Sequence, residues 1–378
     1  MTSPAELSRS KSALFNFIRW TAALVVVVGH VNSYANLIDG EGTTAPYRIY
    51  NYCALHAHAA VMVFFVLSGY FVTFATVRKC AKGSYRFRDY FLDRWSRIYS
   101  VLLAAVAFTL VLDVIGRVLS PVYRDAKVIP QDHFLLRLFL NVFSLQGVQG
   151  HRVQLGSNPP LWSIGYEFTF YVLFGLFFFR KQLFRRQLFF VASIVLILAV
   201  IGVKMALYFV IWLLGVATYY ATQRVRIRVS WMTTVLLLAL VVVANHFINY
   251  ANVLHLTEFA NDFIFSVVVA LFFLPDISSS TVPRLLERVN DFFAEYGYSI
   301  YAYHLPIVIF FYAIVEKLMG VRLSPLVTAV LLPVICLIGA RLLYSVSEAQ
   351  RPRFRAIGAR IYDAAGAMIV APTAEEQV

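Results

Sequence analysis

The stretch Arg19-Trp-Thr-Ala-Ala-Leu-Val-Val-Val-Val-Gly-His30 lies inside the first long apolar run of the chain, residues 13–35. A run of this length predicts a membrane-spanning helix. Ionisable side chains inside such a helix cost roughly 2.5–3.5 kcal/mol each on insertion scales, so they mark candidate functional sites. Because a helix repeats every 3.6 residues and rises 1.5 Å per residue, Arg19 and His30 lie on nearly one face, about 16 Å apart. One helix face therefore carries a cation near one membrane surface and a titratable imidazole near the other.

The whole chain has the composition of a helical membrane protein. Of its 378 residues, 60% are hydrophobic and 14% are charged, whereas soluble domains average about 45–50% and about 25%. We expect an all-α, polytopic fold with about ten transmembrane helices, at residues 13–35, 56–77, 98–118, 161–179, 188–203, 205–222, 231–248, 259–275, 297–316 and 324–345. With both termini in the cytoplasm, the basic clusters fall on the cytoplasmic side, as the positive-inside rule requires.

The same pattern predicts three parts of the chain. These are a cytoplasmic N-terminus (1–12), a transmembrane domain (13–348) and a basic cytoplasmic tail (349–378) that is partly disordered after about Arg360. The net charge of +13 is distributed in short runs beside apolar segments. That distribution favours a lipid bilayer, and not a nucleic acid, as the partner. Three cysteines do not make a disulfide framework, and the first apolar run is too long for a cleavable signal peptide.

Two connecting segments have compositions of their own. Residues 78–97 are basic and aromatic, which fits an interfacial helix on anionic lipid, a phosphate-binding surface, or both. Residues 119–160 form the longest outer loop, and long loops are often functional. Within it, the segment beginning at Phe134 predicts an amphipathic or re-entrant helix that covers a cavity.

Counting residues from the predicted span limits places the buried polar groups in two layers. Arg19 and His304 form an inner layer, closed by Arg94 and Arg97 at the start of the third span. His30 and Glu167 form an outer layer. A carboxylate about 9 Å into an apolar region needs a partner.

Each of these residues also has a structural interpretation. Arg19 can snorkel to the interface, His30 can be wetted by the outer surface, and His304 can bond a neighbouring helix. His56 and His58 form a His-X-His pair without nearby carboxylates, which is weak evidence for a metal, so no metal site is predicted. Ser68-Gly69 is typical of a close helix contact.

Five motifs in order resemble the acyltransferase-3 family of integral-membrane, acyl-CoA-dependent O-acyltransferases. They are Arg19 with His30; Phe64-Phe65-Val66-Leu67-Ser68-Gly69-Tyr70; Arg94-Trp95-Ser96-Arg97-Ile98-Tyr99; Trp162-Ser163-Ile164-Gly165-Tyr166-Glu167; and Tyr298-Ser299-Ile300-Tyr301-Ala302-Tyr303-His304-Leu305-Pro306. Two positions depart from the family pattern. Met62-Val63 stand where an acidic residue is common, and Ser100 replaces the usual proline.

The resemblance implies transfer of an acyl group, most often acetyl, from cytoplasmic acyl-CoA to a hydroxyl of an extracytoplasmic glycan at a bacterial inner membrane. In that case we expect Arg94 and Arg97 to bind the phosphates of the coenzyme. Arg19 and His304 would position its pantetheine end or polarise the thioester carbonyl. His30 would serve as general base or acyl carrier, oriented by Glu167.

Other functions stay open, including a scaffold in a polysaccharide-synthesis complex, which would leave Glu167 and the spacing of Arg19 and His30 without a purpose. A transporter or flippase of a glycan or lipid intermediate is the main alternative, although the inverted repeats typical of transporters are not apparent. We expect no fused hydrolase-like domain, and we expect a partner protein of polysaccharide synthesis to supply that activity. The sequence does not identify the acceptor.

Overall fold

A computed structural model describes residues 7–39, 45–126, 129–150, 153–253, 255–278, 284–320 and 324–370. The described chain is almost entirely α-helical, as predicted. Its helices are α1 (Arg9–Asp39), α2 (Ala45–Ala54), α3 (Ala57–Cys80), α4 (Phe87–Leu119), α5 (Phe134–Val142), α6 (Trp162–Phe178), α7 (Arg180–Leu183), α8 (Gln187–Arg224), α9 (Trp231–Asn245), α10 (Glu258–Phe272), α11 (Arg284–Glu295), α12 (Gly297–Met319), α13 (Pro325–Tyr344) and α14 (Arg351–Val370). Two short strands, β1 (Arg228–Val229) and β2 (Asp276–Ile277), pair in parallel.

Eight helical segments in the described ranges are long and apolar enough to cross a membrane. The prediction of about ten differs in two places. The spans at 188–203 and 205–222 form one segment, α8, which is broken at Gly202 (φ 78°, ψ 168°). A straight helix of this length would measure about 57 Å against an apolar layer of about 30 Å, so the break divides α8 into two arms. The span at 259–275 is the 15-residue helix α10.

The two ends of the bundle differ in charge. The basic end carries the C-termini of α3 and α8, the N-terminus of α4, and strand β1, with Lys79, Arg88, Arg224 and Arg228. The N-terminus of α1 lies at the same end, because Ser8 Oγ donates to Asp276 at the start of β2 (2.5 Å). The loop between α5 and α6 lies at the opposite end. This arrangement agrees with the predicted alternation of the spans.

The closest helix crossing joins α3 to the second arm of α8 through two glycines. A Cβ added at Gly69 would overlap the carbonyl oxygen of Trp212, and one added at Gly215 would overlap that of Val66. Small residues that allow backbones to touch are the main packing device of membrane helices. Gly69 is therefore a helix contact, as its sequence context predicts, and it fixes the depth of its neighbour Ser68.

Helix α11 runs beside the first half of α1. Trp20 Nε1 donates to Asn290 Oδ1 (2.8 Å), Asn290 Nδ2 donates to the carbonyl of Ala13 (2.7 Å), and Arg9 Nε donates to Glu287 (2.7 Å). The chain thus re-enters the bundle through α11, which runs from the basic end to the level of Trp20. Helix α12 starts after α11, further from the basic end. Residues of α12 therefore lie higher in the bundle than a span starting at residue 297 would place them.

The connection between α5 and α6 dips into the bundle. Ser144, Gln146, Ser157 and Asn158 are all buried, and Asn158 Nδ2 donates to the carbonyl of Ala302 in α12 (3.0 Å). Helix α6 thus begins inside the protein, level with α12 residue 302, and not at the outer surface. The predicted amphipathic segment beginning at Phe134 is the helix α5.

The basic, aromatic segment at 78–97 is not a separate interfacial helix. Helix α4 runs without interruption from Phe87 to Leu119, so most of that segment forms its first turns. Asp93 accepts hydrogen bonds from Lys79 Nζ (2.5 Å), Arg355 Nε (2.7 Å) and Tyr85 Oη (3.0 Å). Burial and the charge of Asp93 raise the pKa of Tyr85, which therefore stays a proton donor. These bonds fix α14 against α4.

The C-terminal segment forms the helix α14, from Arg351 to Val370. The expectation of a partly disordered tail after about Arg360 stays a prediction. Pairing of Arg88 with Asp363 (2.6 Å) extends the contact with α4. Residues 371–378 lie outside the described residues.

The α3–α8 crossing gives a test of the fold. Gly69→Ala should lower the apparent melting temperature of the purified protein, because the added methyl group collides with rigid backbone; overpacking of this kind costs about 1–3 kcal/mol. Gly297→Ala is the matched control, since no atom lies within 4 Å of a Cβ at that position. Equal melting temperatures for the two variants would contradict the close crossing.

Candidate active site

A cavity of about 350 Å³ lies between α1, α3, α4, α6 and α12. Its wall near the basic end includes Phe74, Arg94 and Arg351, and its deepest part reaches Ser163 and Tyr301. Most of the remaining wall is apolar and comes from α3. The predicted site residues Arg19, Arg94, Arg97 and Glu167 all line this one cavity.

Three arginines on the cavity wall have no protein anion as a direct partner. Among the described residues, Arg19, Arg94 and Arg97 form no salt bridge, and the buried Nε of Arg94 has no hydrogen-bond acceptor. Placing unpaired charge in a protein interior costs several kcal/mol per ion unless a counter-charge arrives. The cavity is therefore suited to an anionic ligand.

Aromatic rings hold two of these guanidinium groups in position. Arg94 lies over the rings of Tyr90 and Tyr171 (5.9 and 5.8 Å to the ring centroids), and Arg97 lies over Tyr298 (5.7 Å). Cation–π contacts contribute about 2 kcal/mol or more where water is excluded. These contacts leave the guanidinium N–H groups available to a ligand. A salt bridge, in contrast, would occupy them with hydrogen bonds to a carboxylate.

Glu167 is the carboxylate of α6 on the cavity wall. Its Oε1 accepts hydrogen bonds from Ser68 Oγ (2.9 Å) and from Tyr171 Oη, one helical turn further on. Trp212 Nε1 in turn donates to Ser68 (3.2 Å). Glu167 also attracts Arg19 and Arg97 at longer range, as does Glu348, which Ser299 holds through Oγ (3.0 Å).

His304 and Glu167 each lie in the layer opposite to the one predicted. His304 does not lie with Arg19; its ring contacts that of His30, with centroids 5.1 Å apart. Glu167 does not lie with His30, and no hydrogen bond or ion pair joins these two residues in the described part of the chain. The error in depth has two causes: α12 starts above α11, which raises His304, and α6 starts inside the bundle, which lowers Glu167.

His304 has a defined tautomer. It is fully buried, and its Nδ1 lies 2.7 Å from the carbonyl oxygen of Tyr301. A carbonyl only accepts hydrogen bonds, so Nδ1 carries the proton. The Nε2 atom of His304 then presents a lone pair, and it has no partner among the described residues.

Tyr301 separates the cavity from the two histidines. It lines the deep end of the cavity, its hydroxyl group donates to the carbonyl of Pro160 (2.9 Å), and its ring lies 5.8 Å from that of His304. His30 and His304 are not on the cavity wall in this structure. His30 is partly buried and packs against His304.

Several residues of the site were not anticipated as functional. Ser68 and Tyr171 bind Glu167, Tyr298 holds Arg97, and Arg351 joins the cavity wall from α14. The spacing of Glu167 and Tyr171, four residues apart on one helix, is a usable signal for their contact. Arg351 has no such signal, because only the tertiary packing of α14 on α4 brings it there.

The charge of the cavity can be measured by thiol labelling. In a background without Cys53, Cys80 and Cys336, Ser68→Cys should react with an impermeant anionic methanethiosulfonate several-fold faster than with a cationic one, and only from the basic end. Arginines on the wall concentrate anions. Ser345→Cys, exposed at the same end, corrects for the intrinsic reactivity of each reagent. Preference for the cationic reagent, or labelling from the opposite end, would refute this description.

The sequence matches a known protein family over most of its length. A family profile described as "Acyltransferase domain", of the acyltransferase-3 type, covers residues 13–345. No curated protein and no solved structure matches the chain. The matched range contains the five sequence motifs and all the cavity arginines except Arg351. The chain therefore belongs to the acyltransferase-3 family and is a multi-pass membrane acyltransferase.

Proposed function

We propose that this acyltransferase takes an acyl group, with acetyl expected, from acyl-CoA entering at the basic end and transfers it to a hydroxyl group presented at the opposite end. The observation that carries the proposal is the set of three unpaired arginines, Arg19, Arg94 and Arg97, on the wall of one cavity. A coenzyme A thioester has the matching form, because its phosphates need cations and its long uncharged arm needs an apolar passage.

The donor would occupy the cavity in one direction. Arg94, Arg97 and Arg351 lie where phosphate oxygens can receive charge-assisted hydrogen bonds. The arm would extend past Ser68 and the α3 side chains to Tyr301 and bring the thioester to the level of the two histidines. Arg19 lines the cavity below that level, about 16 Å from His30 along α1, and would position the pantetheine arm.

His30 is the proposed general base. The acceptor hydroxyl oxygen attacks the carbonyl carbon, its proton moves to His30, and the C–S bond breaks to release the coenzyme thiolate. The proton then passes to the thiolate or to water. Histidine is the side chain most often used to accept a proton from a reacting group in this way.

His304 takes the orienting role first expected of Glu167. Its Nε2 lone pair is free to accept an N–H from the ring packed against it, which is that of His30. Such a bond would fix the tautomer of His30 and leave the other ring nitrogen as the base. Glu167 would instead balance the charge of Arg19 and Arg97 and hold Ser68 and Tyr171.

The acceptor, the membrane and the partner proteins are proposed from the family resemblance. We propose an extracytoplasmic glycan as acceptor, a bacterial inner membrane as location, and contact with proteins of polysaccharide synthesis. A transporter or flippase would not cleave a thioester, and acyl-CoA hydrolysis or transfer by the purified protein therefore separates the two functions.

His30 and His304 give a graded test of the chemistry. His30→Ala should reduce turnover of acetyl-CoA by about 10²–10⁴-fold, the contribution usual for a general base. His304→Ala should cause a smaller loss and shift the pH profile of turnover, because it acts on His30. His255→Ala, which changes an exposed histidine, serves as control. Near-normal turnover of folded His30→Ala protein would reject the mechanism.

The arginines give a separate test of donor binding. Arg94→Ala and Arg97→Ala should each weaken coenzyme A binding about tenfold, since a hydrogen bond between charged groups contributes about 1.5–3 kcal/mol. Isothermal titration in lipid nanodiscs measures the effect. Arg226→Ala removes an equal charge from an exposed position at the same end and should leave affinity unchanged. Equal losses in all three variants would mean that the phosphates bind the general surface charge.

A further inference from the structure

We propose that His58, Glu258 and Asp262 form a binding site for one divalent transition-metal ion of the zinc type, on the side of α3 that faces α10. One possible ligand atom from each residue lies within 4.8 Å of the others. His58 Nε2 is 2.8 Å from Asp262 Oδ2 and 3.8 Å from Glu258 Oε1. None of the three lines the cavity described above.

The backbone brings these groups together for reasons that the linear sequence does not show. His58 occupies the first turn of α3, and Glu258 and Asp262 lie one turn apart at the start of α10. Residues four apart on a helix share a face. The packing of α10 on α3 then sets both carboxylates against the same imidazole, although neither is near it in the sequence.

The charges of the cluster are not balanced by the protein. Two carboxylates at positions i and i+4 repel each other, and in the described residues neither forms an ion pair with a lysine or arginine. His58 can neutralise one carboxylate at most, and only when protonated. A divalent cation balances both and leaves the histidine neutral, the form in which it binds metals.

A hydrogen bond from a residue outside the cluster orients the Asp262 carboxylate, as is common for carboxylates that bind metals. The Asp262 side chain is 1% exposed, its Oδ2 accepts a hydrogen bond from the buried Tyr208 hydroxyl (2.8 Å), and its Oδ1 has no partner among the residues described. Hydrogen bonds from outside the ligand set commonly orient a carboxylate on a metal. A buried carboxylate oxygen without a partner is costly, and coordination removes that cost.

The donor atoms and their exposure decide the class of ion. One imidazole nitrogen with carboxylate oxygens suits Zn²⁺, Co²⁺ or Mn²⁺ better than Mg²⁺ or Ca²⁺, which prefer all-oxygen sites. Three protein ligands leave a position open for water, as in accessible zinc sites. Glu258 and His58 are exposed by 64% and 36% at their side chains, so the site opens at the protein surface.

The site lies level with His30 but on the other side of α3. A Cβ at Gly29, next to His30, would overlap Ala57, which is next to His58. His30 faces α12, however, whereas His58 faces α10. The metal site is therefore separate from the residues proposed for acyl transfer, and metal binding can be measured without turnover.

The test measures metal binding by the full-length protein in lipid nanodiscs after removal of metal with a chelator. Titration with Co²⁺ should give one visible ligand-field band at a stoichiometry of one ion per chain, and Zn²⁺ should abolish it by displacement. His58→Ala and Glu258→Gln should each weaken Co²⁺ binding tenfold or more. Glu258→Gln changes an exposed side chain, so this variant should fold even if changes at the buried Asp262 do not.

His133→Ala is the matched control, because His133 is an exposed histidine 4.0 Å from Asp132 with no third ligand. It should leave Co²⁺ binding unchanged. Absence of the band in the wild type, or equal Co²⁺ affinity in wild type, His58→Ala and Glu258→Gln, would overturn the proposal. The latter result would identify only adventitious binding, and His58 with Asp262 would then be a hydrogen-bonded pair that joins two helices.

Discussion

Unpaired guanidinium groups in an apolar helical bundle are the constraint on which the rest of this protein depends. Arg19, Arg94 and Arg97 line one cavity without a salt bridge in the described chain, and such charge is stable inside a protein only with compensation. Tyrosine rings and two carboxylates at longer range supply part of it. The remaining positive charge makes the cavity suited to an anionic ligand.

The helix arrangement turns this binding site into a route with two levels. Arginines and Glu167 occupy the level nearer the basic end, and His30 with His304 occupies the next, beyond Tyr301. A donor held by its phosphates at the first level can present its thioester at the second. In the function proposed above, the acceptor would meet the donor at the level of the two histidines. Acyl transfer between the two ends of the bundle would then use both levels.

The fold was largely predictable from the sequence, because apolar run lengths and the positions of the arginines reflect the bilayer directly. Three of the four cavity arginines were also predictable: Arg19 because charge inside an apolar run is rare, and Arg94 and Arg97 because they stand at the start of the third span. The depths of His304 and Glu167 were wrong. They depend on where α12 and α6 begin, and those positions are set by α11 lying beside α1 and by a buried loop before α6. Neither feature changes the hydropathy pattern enough to be recognised.

Contacts between distant parts of the chain could not be predicted from the sequence. Arg351 reaches the cavity because Asp93 binds Lys79 and Arg355 and so fixes α14 on α4. Likewise, His58 was interpreted as a residue without nearby carboxylates, and the packing of α10 supplies two. In both cases separate helices contribute to one cluster, and local periodicity contains no information about which helices meet.

The most direct measurement is a cryo-electron microscopy map of the protein in nanodiscs with a non-hydrolysable acyl-CoA analogue. We expect phosphate density beside Arg94 and Arg97 and the acyl end at Tyr301, within reach of His30. A coenzyme bound outside the bundle, or a cavity filled by lipid with the arginines turned away from it, would contradict the central claim.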